Sequence, residues 1–291
     1  MERKTSVDML GATALIGFAL LLAFNQVVIK VTGGGFGPVF LAALRSAGAV
    51  VVLLIWMRLK GVPLAMPRGV FRWGLFSGCL FAFEFICLFT ALDLTSVSRA
   101  SIIFYSMPVW LALGAHLLLP GERMTGLRFI GLGFAMGGVI FALANRDGAE
   151  VSWLGDIAAL GAALGWAGVA LLVRATPLST VKPEVQLFWQ VAVSAPILFF
   201  LAPFMGDLVR ELQPIHVAGL LFQIICVSSL GYLFWYWLLT IYPAASVAAF
   251  SFLSPVFSVL LGWLLLNEQM EVGILGALLL VAAGIYLINR R

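Results

Sequence analysis

The chain of 291 residues is 63% hydrophobic and 10% charged, with a net charge of +4. A water-soluble domain carries about 45–50% apolar and about 25% charged residues, so this chain has too little polar surface to cover itself against water. Its basic residues are scattered through short segments, which argues for membrane lipid as its surroundings and against a nucleic-acid partner.

Apolar runs follow one another at 9–30, 38–59, 69–92, 96–119, 126–144, 153–175, 185–205, 214–240, 244–266 and 271–289. Each is long enough to cross about 30 Å of hydrocarbon at about 1.5 Å per residue. None alternates as a barrel strand does, and a lipid-embedded backbone must satisfy its own hydrogen bonds, so the runs read as helices. The fold predicted is an all-α integral membrane protein with ten transmembrane helices. Arg3 and Lys4 precede the first run as in a signal peptide. That run is nevertheless long enough to span and no small-residue cleavage site closes it, so it reads as a retained helix.

Breakers mark the links: Gly33, Gly34, Gly35, Gly37 and Pro38; then Lys60, Gly61, Pro63, Pro67 and Arg68; later Pro120, Gly121 and Glu122, and the polar stretch 145–152. With the N-terminus in the cytoplasm, twelve Lys and Arg fall on the inner side: Arg3, Lys4, Arg58, Lys60, Arg68, Arg72, Arg123, Arg128, Arg174, Lys182, Arg290 and Arg291. Only four, Lys30, Arg99, Arg146 and Arg210, fall outside. This bias satisfies the positive-inside rule and puts both termini in the cytoplasm.

The halves resemble each other. Ser101–Gly138 and Ala248–Gly284 both run from a mid-helix proline through a leucine-rich stretch and a loop glutamate to a Gly/Ala-rich helix. Pro108 pairs with Pro255, Glu122 with Glu268, and Gly138 with Gly284. Because each unit has an odd number of helices, five, the second is inverted, dividing the chain into repeats at 1–148 and 149–291. Inverted repeats are common in secondary transporters, with the substrate site near the midplane where the halves meet.

These paired five-helix units, each with a mid-helix proline and a helix-end glutamate, resemble the EamA-type members of the drug/metabolite transporter superfamily, and among them the amino-acid exporters of the YddG type. The resemblance covers nearly the whole chain. It implies alternating access and a central cavity lined by helices 1–4 and 6–9, with helices 5 and 10 peripheral.

Two charges lie well inside helices: Arg45 in the second and Glu84 in the third, both on the order of 10–12 Å below the outer surface. Intramembrane charges mark functional sites by default. Their common level predicts that they lie near each other and pair, either as a fixed salt bridge or as part of the site. Glu84 is the one acid deep enough to carry a proton; neutralisation by Arg45 would favour facilitated diffusion instead.

The neutral candidates are Asn25 in helix 1, Tyr105 with Ser101 and Ser106 in helix 4, Gln190 in helix 7 as the repeat counterpart of Arg45, and Ser251 and Ser254 in helix 9. Pro108 and Pro255 remove a backbone donor and read as hinges before ligands. Trp166 and Tyr105, with Trp110 and Trp189, lie away from belt depth and are candidates to line a cavity, against the commoner packing or lipid-facing role. Small-residue faces, including a GxxxG at Gly133/Gly137, serve either packing within the subunit or a homodimer.

Enzyme chemistry and cofactors find no support. There is no GxxxxGK[ST] and no HExxH, and the two histidines are far apart. Cys79, Cys87 and Cys226 read as small apolar fillers. The function expected is a secondary exporter of small neutral metabolites, with aromatic and hydrophobic amino acids as the leading class. A multidrug or other metabolite exporter is the alternative.

Overall fold

A computed structural model describes residues 7–119, 125–144, 152–242, 250, 253–270 and 272–289. The described residues are helical almost throughout and form no strand beyond an isolated bridge between Phe36 and Val209. Seven segments are apolar helices long enough to cross a membrane, and three shorter apolar helices occupy the remaining expected positions.

The first half contains α1 (Met9–Thr32), α2 (Pro38–Leu59), α3 (Phe71–Leu94), α4 (Val97–Phe104), α5 (Met107–Leu118) and α6 (Gly126–Ala144). The second contains α7 (Trp153–Ala175), α8 (Pro183–Leu201), α9 (Pro214–Phe222), α10 (Leu230–Ile241), α11 (Leu253–Leu266) and α12 (Val272–Asn289). Short polar side chains start several of them. Asp8 accepts from Gly11 N at 2.9 Å, Ser96 from Arg99 N and Ser152 from Gly155 N, each satisfying a donor the helix itself cannot. Helix α8 begins two residues before the expected start at 185, because Pro183 sits in its first turn, where a missing N–H costs nothing.

Two expected continuous runs are interrupted. The fourth divides at Tyr105–Ser106 into α4 and α5. Proline at 108 clashes with the carbonyl four residues back, and α4 ends at that residue, Phe104. The eighth contains a seven-residue π-helix, Gln223–Ser229, between α9 and α10. The counterpart of the fourth-helix break, upstream of Pro255, lies outside the described residues, as does the repeat boundary expected at 148/149.

The packing repeats itself across the halves. Helix α3 lies against α7 as the eighth segment lies against α1. The α4/α5 pair packs on α7 as α11 packs on α1, while α2 crosses α8 and α6 runs along α12. Individual contacts repeat too. Gly48 of α2 packs on Ile224 of the π-helix, and Val193 of α8 packs on Gly78 of α3, so knob and hole are exchanged. Gly48 and Val193 are 145 residues apart and Gly78 and Ile224 are 146 apart, yet Pro108 and Pro255 are 147 apart. The π-helix lies where the spacing grows by one, as expected of a single-residue insertion into an α-helix.

Helices α6 and α12 join through small residues. A Cβ at Gly138 would meet Ala277 O and Val281, and one at Gly284 would meet the Ala135 backbone. Gly133 and Gly137 have no described neighbour there, so the GxxxG lies off the α6–α12 contact. The joining face is instead one helical step round, at Gly131, Ala135 and Gly138.

Candidate functional site

Arg45 and Glu84 both end in the middle of the helix bundle, each with about 1% of its surface exposed. The Arg45 guanidinium is held from several directions. Its Nε donates to Ser228 Oγ in the π-helix, and the Tyr232 hydroxyl one turn later lies within its electrostatic reach. The Phe85 and Phe89 rings of α3 lie 4.6 and 5.5 Å from its Cζ, a cation–π arrangement. Nη1 has no hydrogen-bond partner among the described residues.

Glu84 lies within electrostatic reach of Arg45 and Tyr232. The direct pairing expected from their common depth is not formed: among the described residues no ion pair within 4.0 Å joins them, and Glu84 Oε2 has no partner. The reason is geometric. Arg45 is drawn toward the eighth segment by Ser228 and Tyr232, while Glu84 is pressed against α7. A Cβ at Gly165 would lie 3.1 Å from Glu84 Cβ and 3.2 Å from its Cα, so the glycine is what lets α7 approach this closely.

A second set of polar groups adjoins the first. The Gln26, Ser254 and Tyr232 side chains lie within electrostatic reach of the Tyr105 hydroxyl. Among the described residues, Asn25 Oδ1, Gln26 Oε1 and Ser101 Oγ are buried without hydrogen-bond partners. Tyr105 caps the end of α4, so the break imposed by Pro108 is also what places this hydroxyl. The structure therefore brings Arg45, Glu84, Tyr105 and Ser254 into one linked cluster.

The other candidates are placed differently. Gln190 lies apart, its Nε2 donating to Ser77 Oγ at 2.9 Å, and α2 meets α8 through Ser46 and Ser194 Oγ at 3.2 Å. Trp166, half-buried on α7, packs against the core and follows Gly165. Trp110 and Trp189 are tied into local structure, through Ser106 Oγ at 3.1 Å and Leu64 O at 2.9 Å. Pro255 is in the first turn of α11, and Ser251 and Glu122 lie outside the described residues.

Gln26 was among the polar positions read from helix 1, but Tyr232 and Ser228 belong to the cluster although the sequence did not single them out. One signal was present: the residue 147 beyond Glu84 is Gly231, so the repeat places the Glu84 level of the second half beside Tyr232.

One face of the bundle is fastened by ions. Glu268 accepts from Val97 N at 2.6 Å, Ser98 N at 3.0 Å and Ser98 Oγ at 2.5 Å, at the positive end of α4. Arg99, counted from the sequence among the outer-side cations, is buried and makes a two-pronged pair with Asp156 at 2.6 and 2.9 Å. Arg210 binds Asp93 at 2.5 and 2.8 Å and Gly33 O at 2.9 Å, and Asp93 raises the guanidinium's affinity for its proton further. Each of these bridges joins the first half to the second. A narrow crevice on this face is lined by Lys30, Asp93 and Phe89 among others. The opposite face is joined by the Tyr242 hydroxyl donating to Asp8 at 2.7 Å and by Trp189 to Leu64.

Comparison with known proteins agrees with this architecture. The model of the EamA-like transporter family matches residues 9–144 and again 153–290. An uncharacterised transporter of Bacillus subtilis, YoaV, is 22% identical over 280 residues, covering 94% of each chain. A probable amino-acid metabolite efflux pump of Salmonella typhimurium is 27% identical over 285 residues, covering 93% of each. A solved crystal structure superposes with a TM-score of 0.67 at 21% identity, covering 95% of this chain and 98% of the other, which supports the fold. The chain belongs to the EamA-like transporter family and is a multi-pass membrane transporter.

Proposed function

We propose that the protein is a secondary exporter of small neutral amino acids with apolar or aromatic side chains, working by alternating access across the inner membrane. Both termini are cytoplasmic in this reading, and the ion-bridged face is external. A homodimer is not required, since the cluster is built within one chain.

The observation that carries the reading is the composition of the central cluster. It holds one buried basic group and one buried carboxyl, ringed by hydroxyls and amides and flanked by Phe85 and Phe89. Such a site is neutral overall and partly apolar, which suits a solute with a polar head, no net charge and a greasy side chain. A sugar phosphate or nucleotide sugar would need several basic groups, and the deep cluster has one. The name of the Salmonella relative points the same way. Packing that repeats under exchange of halves supports alternating access, because the same contacts can be exchanged between faces.

A panel of labelled amino acids in proteoliposomes, with cationic drugs as the contrast, tests this. Counterflow of at least one neutral amino acid is expected. Transport of the drugs with no amino acid moved would overturn the reading in favour of multidrug export.

A further inference from the structure

We propose that Arg45 and Glu84 divide the two charges of an α-amino acid between them, Arg45 Nη1 taking the carboxylate and Glu84 Oε2 the ammonium. This rests on the amino-acid reading above and makes the pair the determinant of specificity for a zwitterion.

The argument begins with cost. A buried charge is expensive unless it is paired and hydrogen-bonded, and a fixed salt bridge would be the ordinary remedy. Here the remedy is incomplete on both sides. Arg45 spends Nε on Ser228 and meets Tyr232 and two phenylalanine rings, yet Nη1 is left over. Glu84 has a free oxygen in an equally buried position. The two act on each other electrostatically without closing into an ion pair. Arg45 is held by Ser228 of the π-helix and Glu84 sits against α7 at Gly165, so packing keeps the two groups from closing on each other.

A guanidinium and a carboxyl that are held near each other without pairing are completed by a molecule that presents both a carboxylate and an ammonium close together. An α-amino acid does so, with its ammonium and carboxylate on one carbon. A lone amine would answer Glu84 and leave Arg45 unmet; a lone carboxylate would do the reverse. An ammonium also has three N–H donors, and Gln26 Oε1 and Asn25 Oδ1 are unpartnered acceptors on α1 for the remainder. The Phe81–Phe85–Phe89 row, with ring centroids 4.3 and 5.6 Å apart in sequence, supplies an apolar wall for the side chain.

The test uses wild-type protein in proteoliposomes, with labelled leucine as substrate and two isosteric competitors that each lack one charge, 3-methylbutylamine and 4-methylpentanoate. Both are expected to need at least about tenfold higher concentration than unlabelled leucine for half-inhibition. Equal competition by either would overturn the division of charges while leaving amino-acid transport standing. If no amino acid is transported at all, the amino-acid reading falls and this proposal with it. In Glu84→Gln, checked for monodisperse elution, leucine is expected to lose its advantage over 4-methylpentanoate while affinity for 4-methylpentanoate itself is kept. An equal loss for both compounds would overturn the proposal.

Discussion

Glu268, near the start of the last helix, caps a helix that begins in the first half, its carboxylate accepting from Ser98 N at 3.0 Å and Ser98 Oγ at 2.5 Å. The approach depends on two local features. Asn267 takes a left-handed conformation (φ 55°), which an asparagine tolerates and which turns the chain after α11. Gly262 leaves room for the carboxylate, since a Cβ there would lie 3.0 Å from Glu268 Cδ and from Ser98 Oγ.

Glu268→Ala therefore removes a helix cap, costing about 1 kcal/mol, and loosens the external face. In a background without the native cysteines, Ser101→Cys, buried one turn into α4, is expected to react several-fold faster with an impermeant maleimide once Glu268 is replaced. An unchanged rate would show that the cap is not part of the closure.

The Arg99–Asp156 pair is buried on both sides, with 3% and 1% of the side chains exposed. Breaking such a pair from one side leaves a stranded charge, at about 3–5 kcal/mol. Asp156→Asn is expected to lower the thermal midpoint in detergent clearly. The double replacement Arg99→Met with Asp156→Leu should recover most of the loss. Equal midpoints for Asp156→Asn and wild type would place the pair among weak surface bridges.

Glu84 has an open oxygen at the centre, and one carboxylate can hold a substrate ammonium or a proton but not both. Glu84→Gln is expected to lower amino-acid export at least about tenfold and to flatten its dependence on pH. A pH profile identical to wild type would remove Glu84 from energy coupling.

Gly165→Val places branched carbon against the backbone and Cβ of Glu84. Overpacking of this kind costs about 1–3 kcal/mol and pushes α3 from α7. Transport per folded molecule is expected to fall further than stability alone accounts for. Gly137→Val, at an open position of α6, is the control and should leave both unchanged.

Much of this was legible before any coordinates. Long apolar runs leave a backbone no choice but helix in lipid, so the helix positions followed from hydropathy. Depth along a helix follows from residue count, so the common level of Arg45 and Glu84 was readable, as was the Pro108–Pro255 pairing. Even the break before Pro108 was implicit in the chemistry of proline.

Azimuth and partners were another matter, because a run that is apolar all round carries no signal of which side faces a neighbour. Gly138 joins α12 while Gly137, one residue away, meets nothing described, and both look alike in the sequence. Tyr232 and Ser228 reach Arg45 from more than 180 residues away, through a π-helix whose one-residue insertion turns that stretch of the eighth segment. The sequence by itself determined the class of the protein and where along the chain its apolar helices fall. Only tertiary packing decided that Arg45 and Glu84 stand apart with an open position on each, because the pull of Ser228 and Tyr232 on one and the press of Gly165 on the other come from helices that no local pattern brings together.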